Sequence, residues 1–216
     1  MIKLNEHASQ PFDTELDKLF ASLGDVKSHM HRFIALVQLG LSEGRDFTSE
    51  ARTIDKAVND LEFSIDQQVM RVISKFTPMM DELRLVLAVV KVGSACEHAA
   101  DKLKNTVKRV AKLTPEQRAA QHDPLLVMLN RVAQQFDGAL DRFSLLSEDE
   151  MAAMLAERDG VHQLYKHAVR NIPQGEDRLG VVFIYRNLDR VAELAYDIAK
   201  IGFAARHNRK FVKPGL

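Results

Sequence analysis

The distribution of apolar side chains along the chain predicts helices. These side chains recur every three or four positions, as in Leu129, Val132, Phe136, Leu140 and Phe143. That spacing places them on one side of an α-helix. No segment alternates between apolar and polar residues for long enough to require a strand. The chain is therefore predicted to be all-α.

Capping residues and prolines divide this pattern into six predicted helices. Residues 114–117 combine a threonine cap, a proline in the first turn and a glutamine three positions after the cap, and residues 147–150 form a capping box. Asp123 before Pro124 indicates a third start. The predicted helices span residues 13–42, 46–75, 79–112, 115–145, 148–171 and 177–207.

The third and sixth predicted helices repeat one sequence pattern. A shift of 92 residues aligns Val89 with Val181 and Leu103 with Ala195. A repeat of this length predicts two tandem, structurally similar three-helix bundles. We expect the first unit at residues 12–113, the second at 114–208, and tails at 1–11 and 209–216.

The repeat also carries acidic residues at intervals of four. They are Glu97, Asp101 and the amide Asn105 in the first unit, and Asp189, Glu193 and Asp197 in the second. Like charges four positions apart destabilise a helix by about 0.2–0.5 kcal/mol per pair, so a bound cation is one explanation. Oxygen ligands favour Mg, Ca, Mn or iron, and zinc less well. The alternative is a solvated acidic face, followed by the basic helix ends at 102–112 and 200–213.

Charge and composition exclude several classes of protein. Lys plus Arg number 30 and Asp plus Glu number 30, which argues against a general nucleic-acid binder. The single cysteine, Cys96, cannot form an internal disulfide and is expected in the core. The longest apolar runs, 85–90 and 181–185, are too short to span a membrane, and residues 1–12 do not resemble a signal peptide. We expect a cytoplasmic protein.

Common catalytic motifs do not occur in the sequence. It contains no Gly-rich phosphate loop, no G-x-S-x-G and no H-E-x-x-H. A ferritin-like di-iron oxidase would need Glu-x-x-His on its helices, and the glutamates here lack a histidine three positions later. We therefore expect a protein that is not an enzyme.

Three short motifs follow one another between residues 60 and 105. They are Leu-Glu at 61–62, Pro-Met-Met-Asp-Glu-Leu-Arg at 78–84, and the acidic pair Glu97 and Asp101. This segment resembles the PhoU family of bacterial phosphate-transport accessory proteins, whose members have a Leu-Glu pair, then Pro-x-Ala-x-Asp-Leu-Arg, then Glu-Arg-Ile-Gly-Asp once per half. Glu97 and Asp101 match the first copy of the last motif. Asp189 and Glu193 match its second copy with the two acids exchanged. The resemblance extends from about residue 12 to residue 207.

The resemblance implies metal sites at the acidic motifs, to which Asp55 and Asp159 would contribute. Asn59 and His162 stand where family members often carry a further acid. An asparagine is a weaker ligand and a histidine favours softer ions, so the identity of the metal stays open.

The resemblance also implies a function. It indicates a negative regulator of phosphate uptake and of the phosphate-starvation response, which would connect the ATPase of the phosphate ABC transporter to a sensor histidine kinase. Membrane association would then occur through these partners. The alternative is an accessory protein of a non-ABC phosphate transporter. Whether the protein is a monomer or a homodimer is left open.

Overall fold

The computed structural model describes residues 10–172 and 178–212 of the chain. Within these ranges it contains six α-helices and no strand. The helices are α1 (Gln10–Glu43), α2 (Thr48–Phe76), α3 (Met80–Val110), α4 (Pro115–Asp141), α5 (Glu148–Asn171) and α6 (Arg178–His207). The all-α prediction is confirmed. The predicted first residue of α6, 177, and most of the two predicted tails lie outside the described residues, while residues 10 and 11 belong to α1.

Both predicted capping signals are confirmed, and each forms a capping box. Thr114 accepts a hydrogen bond from the Gln117 amide and Ser147 accepts one from the Glu150 amide, with the reciprocal side-chain bonds also made. The α4 helix ends at Asp141 rather than at 145, because residues 142–145 form a turn in which Ser144 has a φ of 63°. A left-handed residue cannot continue an α-helix.

The predicted helix start at Asp123 is wrong. Pro124 lies inside α4, which runs without interruption from the capped start at Pro115. A proline in a helix removes one hydrogen bond to the carbonyl four residues earlier, here that of Ala120. Both Ala120 and Pro124 are exposed, so water can hydrate that carbonyl. The buried Leu125 and Met128 that follow hold the helix against the core.

Four helices form the centre of the molecule. Helix α1 packs on α3, α3 on α6, α6 on α4, and α4 on α1. Helix α2 covers α1 and α3, while α5 covers α4 and α6. Buried apolar side chains from all six helices form one continuous core. The three-helix units thus share their interior, and the boundary at 113–114 stays a prediction.

The two repeated helices, α3 and α6, lie side by side and run antiparallel. Arg109 near the end of α3 lies over the ring of Phe183 near the start of α6, with its guanidinium carbon 4.2 Å from the ring centroid. At the opposite end, Arg84 of α3 lines the same cleft as Lys210, which follows α6. Small buried residues such as Ala99 and Ala192 allow the helices to approach closely. In the described part of the chain no helix is long and apolar enough to cross a membrane.

Candidate functional site

The acidic residues of the first unit meet between α2 and α3. Asp55 of α2 faces Asp101 of α3, and the ammonium of Lys104 lies between them. Its Nζ is 2.8 Å from Asp55 and 3.0 Å from Asp101. The side chains of Lys104 and Asp55 are only 17% and 16% exposed. Asn105 donates a further hydrogen bond to Asp101 at 3.1 Å.

The protonation of this group follows from these contacts. Burial by itself would raise the pKa of Asp101, but the hydrogen bonds and charges of Lys104 and Lys102 lower it below its ordinary value. Burial would likewise lower the pKa of Lys104, but Asp55 and Asp101 together raise it. At neutral pH the Lys104 ammonium and the Asp101 carboxylate are therefore both charged and paired.

Glu97 occupies a different electrostatic environment. Burial raises its pKa, and the negative charges of Glu62, Asp101 and Asp55 raise it further. The nearby His98 opposes this effect, with its Nε2 3.7 Å from the Glu97 carboxylate. Glu97 thus has more acidic than basic side chains around it.

In the second unit the most buried acid is Asp189. It is 7% exposed, and both of its carboxylate oxygens lie 3.1 Å from Nδ1 of His162 on α5. Burial raises the pKa of Asp189, and the hydrogen bond from His162 partly opposes that shift. His162 therefore contacts the acidic stripe directly, at a position that the sequence singled out only as a departure from the family pattern.

The other predicted acids of the second unit each have a basic neighbour. Glu193 pairs with Arg190 at 2.7 Å, Asp197 with Lys200 at 2.6 Å and Asp159 with Arg158 at 3.3 Å. Asp189 and Glu193 also line a cleft of about 740 Å³ together with Lys102, Arg186 and Arg190. Each acidic stripe is therefore interleaved with cations of the protein itself.

These arrangements bear on the predicted metal sites. The oxygen ligands of the first unit, from Asp55, Glu62, Glu97 and Asp101, are of the type that hard cations prefer. However, the Lys104 ammonium occupies the space where two of these carboxylates converge. Among the described residues no group of three His, Cys, Asp or Glu side chains is placed to hold a metal ion. As arranged, the site does not fit a metal, and metal binding stays a prediction.

Sequence reasoning did not identify three residues of these sites. Lys104 and Arg158 supply cations to the stripes, and Glu62 adds an acid near Glu97. Lys104 follows Asp101 by three positions, a spacing that puts both side chains on one face of a helix and could have indicated the pair. Instead, the sequence interpretation counted Lys104 only as part of a basic helix end.

The single thiol does not form a reactive site. Cys96 lies in α3 with an exposed fraction of 0%, and burial raises the pKa of its thiol. A thiol must ionise to act as a nucleophile. The prediction that Cys96 is a core residue is confirmed.

Comparisons with known proteins agree with this fold. A family profile described as "PhoU domain" matches residues 33–110. The phosphate-specific transport system accessory protein PhoU of Escherichia coli is 26% identical, with 94% of this chain and 88% of that protein covered. The Pseudomonas aeruginosa homologue is 25% identical over 92% of this chain and 86% of its own length.

Solved structures show the same architecture. The crystal structure of PhoU from Pseudomonas aeruginosa matches with a TM-score of 0.80 at 20% identity, covering 92% of this chain and 100% of that one. The phosphate transport system regulatory protein PhoU from Streptococcus pneumoniae matches with a TM-score of 0.82 at 20% identity, covering 94% and 99%. Along most of its length the chain is thus similar to proteins named PhoU, and residues 33–110 match the PhoU domain.

Proposed function

We propose that this protein is a cytoplasmic negative regulator of phosphate uptake and of the phosphate-starvation response. It acts as an adaptor that contacts the ATPase subunit of a phosphate ABC transporter and a sensor histidine kinase. The observation that carries the proposal is the alignment over 94% of the chain with a protein named as an accessory of the phosphate-specific transport system. The alignment is not confined to a single helix or motif.

The geometry supports an adaptor rather than an enzyme. The shared core makes the six helices one body, which can present two distant faces to two partners at once. The ionisable groups buried between helices, such as Asp55 and Lys104, are paired with each other. The lone thiol is enclosed in the core. These groups stabilise the fold and leave recognition to the exposed surface.

The proposed mechanism does not include a metal ion. Because Lys104 neutralises Asp55 and Asp101, a cation could enter the first unit only by displacing that ammonium. Metal binding is therefore proposed only as an exchange with Lys104. The side chains of this protein can hold their positions without a metal through the pairs described above.

A binding experiment with the two partners tests the adaptor role. The full chain is immobilised, and the purified ATPase subunit and the cytoplasmic part of the kinase from the same cells are passed over it, first singly and then together. We expect each partner to bind, and the second to bind without displacing the first. Binding to neither partner would contradict the proposal. Binding to a non-ABC phosphate transporter instead would support the alternative function.

A further inference from the structure

A long cleft runs between α3 and α6 on the molecular surface. It has a volume of about 890 Å³ and is open to solvent. On α3 its wall extends from Arg84 to His98, and on α6 from Arg190 to Ala205. From Arg84 to His98 the helix rises by fourteen steps of 1.5 Å, roughly 21 Å. The cleft is thus about four helical turns long.

The floor of the cleft is apolar and made of small residues. Ala88, Ala95 and Ala205 contribute to it and are 4%, 9% and 7% exposed. Leu87, which is 44% exposed, and Phe211 add larger apolar surface at one end. Small floor residues let the backbone of a third helix approach to the 8–10 Å that packed helices require.

The walls of the cleft are basic. Their basic side chains are Arg84, Lys91, His98, Arg190, Lys200 and Lys210, and the lining contains one acid, Asp197, which pairs with Lys200 at 2.6 Å. Arg84 and Arg190 contact Asp81 and Glu193, which do not line the cleft. Lys91 and Lys210 make no ion pair within the described ranges. The uncompensated positive charge of the cleft therefore comes from Lys91 and Lys210, beside an apolar floor.

We propose that this cleft docks an acidic amphipathic helix of a partner protein. Such a helix would place its apolar stripe on the alanine floor and its Glu or Asp side chains against the basic walls. Helices commonly bind in grooves in this way, through apolar anchors spaced three, four and seven positions apart. Complementary charge sets the orientation and the rate of association. A small anion would use the walls but leave the apolar floor unused.

A second copy of this chain fits the cleft less well. A two-fold symmetric contact would set the basic walls of two clefts against each other, and like charges across an interface repel. The occupant would therefore have to be a different surface of the second copy, for instance the exposed Phe63 and Met70 on α2. That contact is head-to-tail, and unless it closes into a ring it propagates into a filament. A separate partner avoids this consequence.

A designed peptide tests the proposal without reference to any particular partner. The probe is a labelled peptide of about 16 residues, with leucines at helical spacing and glutamates flanking them. Binding is measured by fluorescence anisotropy with the full chain. A scrambled peptide of the same composition and a version with lysine in place of glutamate serve as peptide controls. We expect only the glutamate helix to bind, with affinity that falls steeply as salt increases.

Charge reversal locates the binding surface. The double variant Lys91→Glu/Lys210→Glu should bind the glutamate peptide at least tenfold more weakly than the native protein does. It should also bind the lysine peptide, which the native protein does not. The control is Lys166→Glu, because Lys166 is exposed on α5 and lies outside the cleft. This variant should bind both peptides as the native protein does. Circular dichroism confirms that each variant is folded.

Three results would overturn the proposal. The first is equal binding of the scrambled peptide, and the second is glutamate-peptide binding that the double reversal leaves intact. The third is self-association in sedimentation that the reversal abolishes, which would assign the cleft to a second copy. None of these results depends on the transporter ATPase or the kinase, so the proposed adaptor function can fail or succeed independently.

Discussion

The Nζ atom of Lys104 lies 2.8 Å from the carboxylate of Asp55, and this ion pair joins α3 to α2 within the acidic stripe. The same ammonium is 3.0 Å from Asp101, one turn earlier on its own helix. A single lysine thus neutralises two acids from two helices. Truncating this lysine would leave the partly buried Asp55 without its cation and Asp101 with only Lys102 and Asn105 as partners. Leaving a partly buried charge unpaired destabilises a protein by more than an intact pair stabilises it.

Replacing this lysine should destabilise the protein. We expect Lys104→Met to lower the free energy of unfolding at pH 7 by about 1–3 kcal/mol, because Asp55 loses its cation and Asp101 loses the nearer of its two. Lys102→Met is the matched control, since Lys102 is 37% exposed and lies 3.4 Å from Asp101. Its effect should be below about 1 kcal/mol. Urea denaturation followed by circular dichroism measures both, and equal effects would contradict the assignment.

The difference in stability between native protein and Lys104→Met should depend on pH in a defined direction. The pKa of Asp101 is lowered in the folded state, so its contribution is present above the ordinary value of 3.8 and is lost as the pH falls through the folded value. The pKa of Lys104 is raised, so its contribution is present below 10.5 and is lost only above that value. The gap between native protein and Lys104→Met should be widest between these limits and should shrink below about pH 3.8. A gap that does not narrow in acid would contradict the ion pair.

Metal binding should compete with Lys104. We expect Lys104→Met to bind Mn²⁺ at least tenfold more tightly than the native chain, because it frees carboxylate oxygens that the ammonium neutralises. Isothermal titration calorimetry measures the affinity. Lys104→Met/Asp101→Asn is the control and should lose the gain. Native protein that binds Mn²⁺ as tightly as Lys104→Met would show that the lysine does not occupy the site.

Replacing two helical glycines by alanine should have opposite effects on stability. A Cβ atom at Gly202 of α6 would lie 2.6 Å from the backbone nitrogen of Ser144 and 2.8 Å from the Phe143 ring, both in the turn after α4. Gly202→Ala should therefore destabilise the protein by about 2–4 kcal/mol. At Gly138 nothing lies within 4 Å of the added atom, so Gly138→Ala should stabilise by about 0.5–1 kcal/mol. Thermal unfolding distinguishes the two, and a neutral Gly202→Ala would contradict the packing of the turn.

A bidentate ion pair joins α4 to α5. Arg131 donates to Glu157 through Nε at 2.5 Å and through Nη2 at 2.8 Å, and this lowers the pKa of Glu157. The contribution of Glu157 to stability is fully present above pH 4.5, the ordinary pKa of a glutamate, and is lost as the pH falls through the lowered pKa of the folded protein. Since both side chains are about one-third exposed, solvent screening limits the coupling energy to about 1 kcal/mol at pH 7. A double-mutant cycle with Arg131→Met and Glu157→Gln measures the coupling energy at pH 7 and at a series of lower pH values; coupling that does not weaken as the pH falls below 4.5 would contradict the pair.

Most of the fold, but only part of the candidate site, could be predicted from the sequence. Apolar spacing and capping residues act locally, so the six helices could be predicted to within a few residues. The error at Pro124 arose because tolerance of a proline depends on the exposure of Ala120, a tertiary property. The acidic stripes were also visible as spacing along single helices. The pairing of Lys104 with Asp55 requires knowing that α2 faces α3, and a single sequence without structure does not contain that distance.

The most direct test of the proposed function is the expression of a phosphate-starvation promoter in phosphate-replete cells that lack this protein. Because a negative regulator holds the kinase in its signalling-off state when phosphate is plentiful, we expect the promoter to be active without the protein. Supplying the full chain from a plasmid should switch it off again. A promoter that stays silent in phosphate-replete cells lacking the protein would contradict the proposed function.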